Sequence, residues 1–308
     1  MELPAYILIT AARNEALFIK ATIQSVVAQT VRPLRWVIVS DGSTDGTDAI
    51  VRQFAAAHPW IGLLRMPERS ERSFGGKARA VNAAYASVRE MDFQVVGNLD
   101  ADVTVSADYF AYLLSKLTAD PALGVVGTPF REVSGETYDY RFVSVEHVSG
   151  ACQVFRRQCF EDIGGYTAMA GGGVDHVALI KARMKGWKTR TFLDTACLHH
   201  RKIGTAEYGT LKAWFRIGIK DYSIGGHPLW ELSRVIYRIA HKPYVIGALA
   251  LGSGYFGAMV ARIERPLPAE IEAFHRQEQI RRLKAFFALR TSSCIRRPAT
   301  SQAQGHRS

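Results

Sequence analysis

The sequence is poor in cysteine, and this excludes two kinds of small stabilising site. Its 308 residues contain four cysteines, and no two of them form a C-x-x-C pair. Structural zinc sites and disulfide frameworks need several cysteines at close, regular spacing, so neither is indicated. The composition fits the reducing environment of the cytoplasm. Residues 1–4 also lack the basic segment that begins a signal peptide, so we expect no secretion.

The charge is basic, but no nucleic-acid-binding motif accompanies it. Lysine and arginine number 39 against 28 acidic residues, which gives a net charge of +11. Residues 262–308 contain ten Lys and Arg and four acidic residues, so a net +6 lies in this tail. Basic tails bind anionic lipid surfaces at roughly 1 kcal/mol per residue. We therefore expect a membrane surface, and not nucleic acid, as a partner.

Apolar runs of strand length alternate with helical patterns in the first half of the chain. The predicted strands are 5–10, 36–39, 61–64 and 95–96, and the predicted helices are 19–27, 48–57 and 77–89. This alternation predicts an α/β fold with a mainly parallel, right-handed, doubly wound sheet. After residue 124 the pattern loosens into short apolar pieces and the glycine-rich loops 164–165 and 171–173, which favour a binding site.

Two acidic turns directly follow predicted strands. They are Ser40-Asp41-Gly42-Ser43 and Leu99-Asp100-Ala101-Asp102. In an open α/β sheet, the ligand-binding crevice lies outside the carboxyl ends of the strands. Paired carboxylates such as Asp100 and Asp102 suit a hard divalent cation that bridges to substrate phosphates. These turns predict a nucleotide–metal site. Alternatively, the segment at Asp41 is an ordinary turn. The segment with Asp100 and Asp102 is alternatively a loop that caps a helix near Asp108.

One lysine and two histidines have both a functional and a structural interpretation. Lys77 follows Gly75 and Gly76 at the start of a predicted helix, where backbone N–H groups attract anions. It is either a diphosphate or sugar contact or a solvated lysine. His199 and His200 are candidates for ligand contacts, but single histidines in proteins are often only packing or capping residues.

Five motifs in this order resemble the family 2 glycosyltransferases of GT-A fold. They are 9–15, 39–47, 98–102, 164–166 together with 173–176, and 199–201. The resemblance implies a Rossmann-like sheet with flanking helices over residues 1–230. It is followed by a C-terminal helical, membrane-associated region at 231–290 and a disordered basic tail at 291–308.

The resemblance also implies an activity and a set of site residues. The expected reaction is inverting transfer from a nucleotide-sugar donor to an acceptor hydroxyl, with Mg²⁺ or Mn²⁺ as cofactor. The implied donor-binding residues are Ala11, Arg13, Glu15, Asp41, Lys77 and Asp100. The implied metal ligands are Asp100, Asp102 and His200, and the implied base is Asp175, with His176 as the alternative.

The sequence departs from the family at two of these positions, and two other classes of protein compete. Arg13 stands where an aromatic residue is common, and Asp175-His176 replaces the usual Glu-Asp pair. A sugar-phosphate nucleotidyltransferase needs a glycine-rich, basic phosphate loop after the first strand, which residues 10–14 lack. A catalytically silent nucleotide-sugar-binding scaffold is the other alternative, and retained carboxylates argue against it.

An uncharged stretch of 19 residues, 243–261, lies in the C-terminal region. It approaches the length that crosses a ~30 Å hydrocarbon core, but four glycines and basic flanks oppose a crossing. We expect it to dip into or lie on the cytoplasmic leaflet, with a full span or a soluble core helix pair as alternatives. A helix face with Ile280, Leu283 and Phe287 also suits a membrane surface. The expected acceptor is lipid-linked or a saccharide, in cell-envelope, exopolysaccharide or glycolipid synthesis.

Overall fold

The structure, a computed structural model, describes residues 2–68, 75–133, 144–201 and 210–295. The strands are β1 (Tyr6–Ala12), β2 (Arg35–Asp41), β3 (Ile61–Met66), β4 (Val95–Leu99), β5 (Val103–Thr104), β6 (Leu123–Gly127), β7 (Phe130–Glu132), β8 (Cys152–Arg156), β9 (Lys188–Thr191) and β10 (Cys197–His199). The helices are α1 (Ile19–Val27), α2 (Thr47–Ala57), α3 (Gly75–Val88), α4 (Tyr109–Ala119), α5 (Arg157–Asp162), α6 (Val174–Met184), α7 (Thr210–Ser223), α8 (Pro228–Arg238), α9 (Tyr244–Val260) and α10 (Ala269–Ile295).

A seven-stranded sheet carries the first two thirds of the chain. Its strand order is β3-β2-β1-β4-β8-β6-β9, and β1 to β4 are parallel. All four predicted strands and three predicted helices are present, so the expected α/β fold with a mainly parallel sheet and flanking helices is confirmed. β8 is the exception, since it runs antiparallel to both β4 and β6. A small second sheet has the order β5-β10-β7.

Both faces of the main sheet are buried, which explains why its strands are almost wholly apolar. Along β1, Ile7 and Ile9 pack into the cluster that includes α3 and α6, while Tyr6 and Leu8 pack into the opposite cluster with α1 and α4. Because β1, β2 and β4 are parallel, their carboxyl ends meet at one edge of the sheet. The turns that contain Asp41 and Asp100 therefore lie side by side.

The C-terminal helical region begins earlier than predicted. The boundary predicted at residue 230 falls inside α8, and α7 already packs against α9. This contact is made by glycines: a Cβ on Gly254 would lie 2.0 Å from the carbonyl oxygen of Phe215, and one on Gly218 would lie 2.2 Å from that of Leu251. The two helix backbones thus touch directly, which joins α7 to the helical region.

The uncharged stretch forms α9, a helix of 17 residues that packs on one side only. No helix in the described part of the chain is both long enough and apolar enough to cross a bilayer. α10 continues to Ile295, past the expected end of the helical region at residue 290. Ile280 and Leu283 are half-buried. The side chain of Phe287 and residues 296–308 lie outside the described part.

Candidate active site

The turns after β1 and β2 are joined by hydrogen bonds. Asn14 adopts a positive φ of 55°, and its side-chain oxygen accepts a hydrogen bond of 2.8 Å from the backbone N–H of Thr44. The N–H of Glu15 donates to Thr47 Oγ1 at 2.8 Å. These bonds hold the two turns as one wall, as a nucleotide cradle requires.

Four predicted donor-binding residues lie on or beside this wall. Asp41 ends β2, and both Asp41 and Glu15 are 7% exposed. Ala11 and Arg13 flank the end of β1 and are half-buried. The structure therefore brings the four residues together at the carboxyl ends of two adjacent strands, where ligands bind in open α/β sheets.

A metal-ligating group lies beside the wall, at the end of β4. Asp100, Asp102 and His199 each offer one ligand atom, and the three atoms lie within 4.8 Å of one another. The His199 ring turns its Nδ1 to the carbonyl oxygen of Arg201, to which only a protonated Nδ1 can donate. This leaves the Nε2 lone pair, 3.6 Å from Asp102 Oδ1, free to act as a ligand.

His200, the histidine expected to join these carboxylates, points elsewhere. Its Nε2 lies 3.0 Å from Thr104 Oγ1, and its ring stacks on Phe18 at 6.3 Å. The reason is strand alternation: along β10, Cys197 and His199 face inward while Leu198 faces outward. No alternation signal in the sequence favoured His199, because the outward-facing residue, Leu198, is itself apolar.

Lys77 lies at the start of α3 and contacts the same carboxylates. Its Nζ forms a salt bridge with Asp100 and donates a 3.1 Å hydrogen bond to the carbonyl oxygen of Gly150. Burial works against the charged amine, but Asp100, Asp175 and Asp102 outweigh it and raise the pKa of Lys77. Burial and the neighbouring Asp102 raise the pKa of Asp100, against the effect of Lys77. The Lys77 ammonium therefore lies against Asp100, at a place where it could also contact a bound diphosphate.

Arg201 connects the nucleotide wall to the metal-ligating group, and sequence reasoning did not assign it a role. Its Nη2 lies 2.5 Å from Glu15 Oε2, and its Nε lies 3.6 Å from Asp102 Oδ2. Its guanidinium also covers the ring of Phe18 at 5.3 Å. The His-His-Arg run of 199–201 was the available signal, since an arginine next to candidate ligands often pairs with carboxylate or phosphate.

Asp175 lies in the first turn of α6, directly after the glycine-rich loop. Gly173, with a φ of 84°, turns the chain into the helix. The Asp175 carboxylate rests against Gly150, so closely that a Cβ there would lie 2.6 Å from Asp175 Oδ2. The Gly150 carbonyl also accepts from Lys77, so Asp175 and Lys77 meet at the same glycine. The Asp175 carboxylate therefore lies near the Lys77 ammonium, which contacts Asp100.

His176, the alternative base, faces the C-terminal helix. Its ring centroid lies 5.5 Å from that of His147 and 5.4 Å from that of His275 on α10. Burial, with His275 and His147 nearby, holds the pKa of His176 well below its ordinary value. The ring is therefore neutral, and it packs at the contact between α6 and α10.

The donor set of this site fits a divalent cation. Two carboxylate oxygens and one imidazole nitrogen match the ligands that bind Mn²⁺, and the carboxylates suit Mg²⁺ as well. Lys77 contacts the metal-ligating group, and Asp175 contacts Gly150, which also binds Lys77. Such an arrangement could hold a nucleoside diphosphate with its cation and present the attached group to Asp175.

The amino-terminal part of the chain matches a known family. Residues 7–144 match the model described as Glycosyl transferase family 2. This match confirms, for residues 7–144, the resemblance carried by the motifs.

Relatives of known sequence support the same assignment. The poly-beta-1,6-N-acetyl-D-glucosamine synthases of Staphylococcus epidermidis and Staphylococcus aureus strain COL are 25% and 26% identical over 173 and 182 residues. These matches cover 50% and 53% of this chain but only 40% and 42% of the relatives. The match therefore spans about two fifths of these synthases.

Two solved structures share the fold. The mannosyltransferase PcManGT of Pyrobaculum calidifontis, in complex with GDP-Man and Mn²⁺, has a TM-score of 0.58 at 22% identity and aligns over 94% of this chain and 81% of its own. Residues 1–349 of S. aureus TarS, in complex with UDP-GlcNAc, have a TM-score of 0.54 at 12% identity, over 88% and 78%. The fold is accordingly GT-A-like.

Proposed function

We propose that this protein transfers a sugar from a nucleotide-sugar donor to an acceptor hydroxyl, with inversion at the anomeric carbon. The observation that carries the proposal is the metal-ligating group of Asp100, Asp102 and His199, which lies beside the wall formed by the turns after β1 and β2. The match of residues 7–144 to the family 2 model supports it, as do structural neighbours solved with UDP-GlcNAc and with GDP-Man and Mn²⁺.

The donor occupies the crevice between the wall and the acceptor side. Asp41 and Glu15 accept hydrogen bonds from the base or ribose, and Ala11 and Arg13 line the same end of β1. Arg13 replaces an aromatic stacking contact with a planar guanidinium, which stacks on a base. The residues assigned to the donor thus come from two adjacent strand ends.

The leaving diphosphate gains negative charge during transfer. Asp100, Asp102 and His199 would hold Mg²⁺ or Mn²⁺, which supplies Lewis-acid stabilisation of several kcal/mol to that charge. Lys77 contributes a second positive charge, since its ammonium already lies against Asp100. Arg201 keeps Glu15 and Asp102 in place from the opposite side.

Asp175 takes the proton from the attacking hydroxyl. Its Oδ2 lies against Gly150, whose carbonyl binds Lys77, and we assign the acceptor a position beside Asp175 from which it attacks the sugar opposite the diphosphate. Attack from that side inverts the anomeric configuration. General-base catalysis of this type contributes roughly 10²–10⁴-fold in rate.

We place this reaction at the cytoplasmic face of the cell membrane, on a lipid-linked or saccharide acceptor in cell-envelope, exopolysaccharide or glycolipid synthesis. The named relatives that make poly-beta-1,6-N-acetyl-D-glucosamine support the pathway. The basic C-terminal segment favours the inner leaflet, because lysine and arginine near a membrane segment resist export. A reporter that is active only outside the cytoplasm, fused to Ser308, checks this location: a strong signal contradicts it.

A donor screen tests the reaction itself. Purified protein is incubated with Mn²⁺ or Mg²⁺ and each of a set of nucleotide sugars, and donors that bind raise the unfolding temperature by mass action. With the best donor and an acceptor extract, we expect release of nucleoside diphosphate and labelling of the acceptor. Release of pyrophosphate indicates a nucleotidyltransferase. Binding with no turnover under any condition indicates a silent scaffold, and either result overturns the proposal.

A further inference from the structure

Helices α7, α8 and α9 expose an unusual amount of apolar surface. Of the 22 large hydrophobic side chains exposed in the described part of the chain, 14 lie between residues 211 and 263. We call them the α7–α9 face, and its members are Leu211, Phe215, Leu229, Leu232, Ile236, Tyr237, Ile239, Tyr244, Val245, Ile246, Leu249, Met259, Val260 and Ile263. Contiguous apolar patches of this kind mark protein or membrane interaction sites.

The arrangement of α9 is the reverse of that in a surface helix of a soluble protein. Its buried residues are mostly small, including Gly247, Ala248 and Gly254, while Ile246 and Leu249 are 60% and 64% exposed. Small residues facing neighbouring helices and large apolar residues facing outward are typical of helices packed in contact with lipid. The face is thus built for an apolar environment on its outer side.

The charges around this face are almost all positive. Residues 210–263 contain seven Lys and Arg and two acidic residues. Both carboxylates, Asp221 and Glu231, form salt bridges with Arg234. Lys242 and Arg262, just before and just after α9, are both exposed. An apolar face bordered by cations is complementary to a bilayer surface that carries anionic headgroups.

The same helices touch the loop that leads to Asp175. A Cβ on Gly173 would lie 2.5 Å from Ile224 Cδ1 and 3.5 Å from Lys220 Cδ. Lys220 lies in the last turn of α7, and Ile224 directly follows the helix. Whatever binds the α7–α9 face therefore lies next to the acceptor side of the crevice.

We propose that the α7–α9 face docks in the plane of an anionic phospholipid bilayer, with α9 lying along the surface and Lys242 and Arg262 on the headgroups. The anionic bilayer would be the membrane partner of the proposed sugar transfer, and the biological meaning of this docking rests on that proposed function. The binding itself does not depend on catalysis. An occupant of the bilayer, and not a soluble protein, then supplies the acceptor hydroxyl to Asp175.

Vesicle binding tests the proposal with the full chain and no donor. The protein is sedimented with vesicles of phosphatidylcholine alone and of phosphatidylcholine with one third phosphatidylglycerol. We expect binding to the anionic vesicles that is at least about tenfold stronger, since several basic residues lie near the surface. The double substitution Ile246→Glu with Leu249→Glu is expected to weaken binding to the anionic vesicles at least about tenfold relative to the wild type.

A matched control separates this surface from exposed apolar residues in general. Leu34, which is 47% exposed between α1 and β2, lies far along the chain from the helical region, and Leu34→Glu is expected to leave vesicle binding unchanged. The thermal shift caused by nucleoside diphosphate is expected to be equal in all three proteins, which shows that the donor site is folded and keeps this test apart from that of the proposed function.

Two results overturn the docking proposal. One is equal sedimentation of the wild type and the Ile246→Glu, Leu249→Glu protein. The other result combines two observations: neither protein binds vesicles, and light scattering shows a wild-type dimer that the double substitution converts to a monomer. In that case the α7–α9 face binds a second copy of the chain.

Discussion

His199 Nε2 lies 3.6 Å from Asp102 Oδ1, while its Nδ1 faces the carbonyl oxygen of Arg201. A ring that donates to this carbonyl carries that proton on Nδ1, and its Nε2 faces the carboxylate. Nitrogen ligands favour Mn²⁺ over Mg²⁺, because Mg²⁺ strongly prefers oxygen. We therefore expect His199, which adjoins the predicted ligand His200, to influence which cation this group binds.

Replacing the two adjacent histidines separately tests which one is the ligand. We expect His199→Ala to raise the Mn²⁺ concentration needed for half-maximal nucleoside diphosphate binding at least about tenfold, with a smaller effect on Mg²⁺. His200→Ala removes the contacts with Thr104 and Phe18 but not the His199 ligand atom, and it serves as the control. Calorimetric titration of each variant measures the change. A loss confined to His200→Ala would contradict the assignment.

Asp102 is expected to be indispensable to metal-dependent binding. It is 8% exposed and within reach of both His199 and Arg201, so Asp102→Ala removes a ligand and the carboxylate that these two side chains approach. We expect loss of turnover and of the metal-dependent part of nucleoside diphosphate binding. Sugar transfer that persists undiminished in excess EDTA would show that no metal takes part.

Sequence reasoning predicted which strand ends come together more accurately than which histidine faces the carboxylates. Asp41 and Asp100 were predictable, because the carboxyl ends of parallel strands meet at one edge. The choice between His199 and His200 depended on the register of β10, which only three residues define. The contact of His176 with His275 spans 99 positions along the chain and leaves no local signal. Nor could the sequence show that glycines place α7 against α9.

Asp175 is expected to affect chemistry far more than binding. Asp175→Asn keeps the size of the side chain but cannot accept the hydroxyl proton, so we expect the turnover rate to fall by roughly 10²–10⁴-fold. Donor affinity is expected to change by only a few-fold, because asparagine keeps the size and the hydrogen bonding of the side chain. Single-turnover kinetics and donor titration separate the two quantities. Normal transfer by Asp175→Asn, with none by His176→Ala, would identify His176 as the base.

Acid is expected to destabilise the contact between α6 and α10. Burial, with nearby Arg and Lys side chains, lowers the pKa values of His147 and His275 from 6.5 to about 4. The unfolded chain then binds more protons than the folded one, so stability present above pH 6.5 is lost as the pH falls towards 4. At pH 5 the loss is about 2 kcal/mol for each histidine.

A substitution on α10 checks this pH dependence. His275→Gln removes one titrating group, so its unfolding midpoint is expected to fall less between pH 7.5 and pH 5 than that of the wild type. His58→Gln, at the end of α2 and outside this contact, is expected to follow the wild type. Equal pH profiles for all three proteins would mean that the histidines at this contact do not control acid stability.

Two glycines three positions apart on α9 are expected to respond in opposite directions to alanine. A Cβ on Gly254 would lie 2.0 Å from the carbonyl oxygen of Phe215, so Gly254→Ala must push α7 and α9 apart, at a cost of about 1–3 kcal/mol or more. Nothing lies within 4 Å of the corresponding position on Gly257. Alanine there lowers only the entropy of the unfolded chain and is expected to stabilise the helix by roughly 0.5–1 kcal/mol. Urea unfolding of the two variants measures the difference, and equal effects at both positions would show that α7 and α9 do not touch through their backbones.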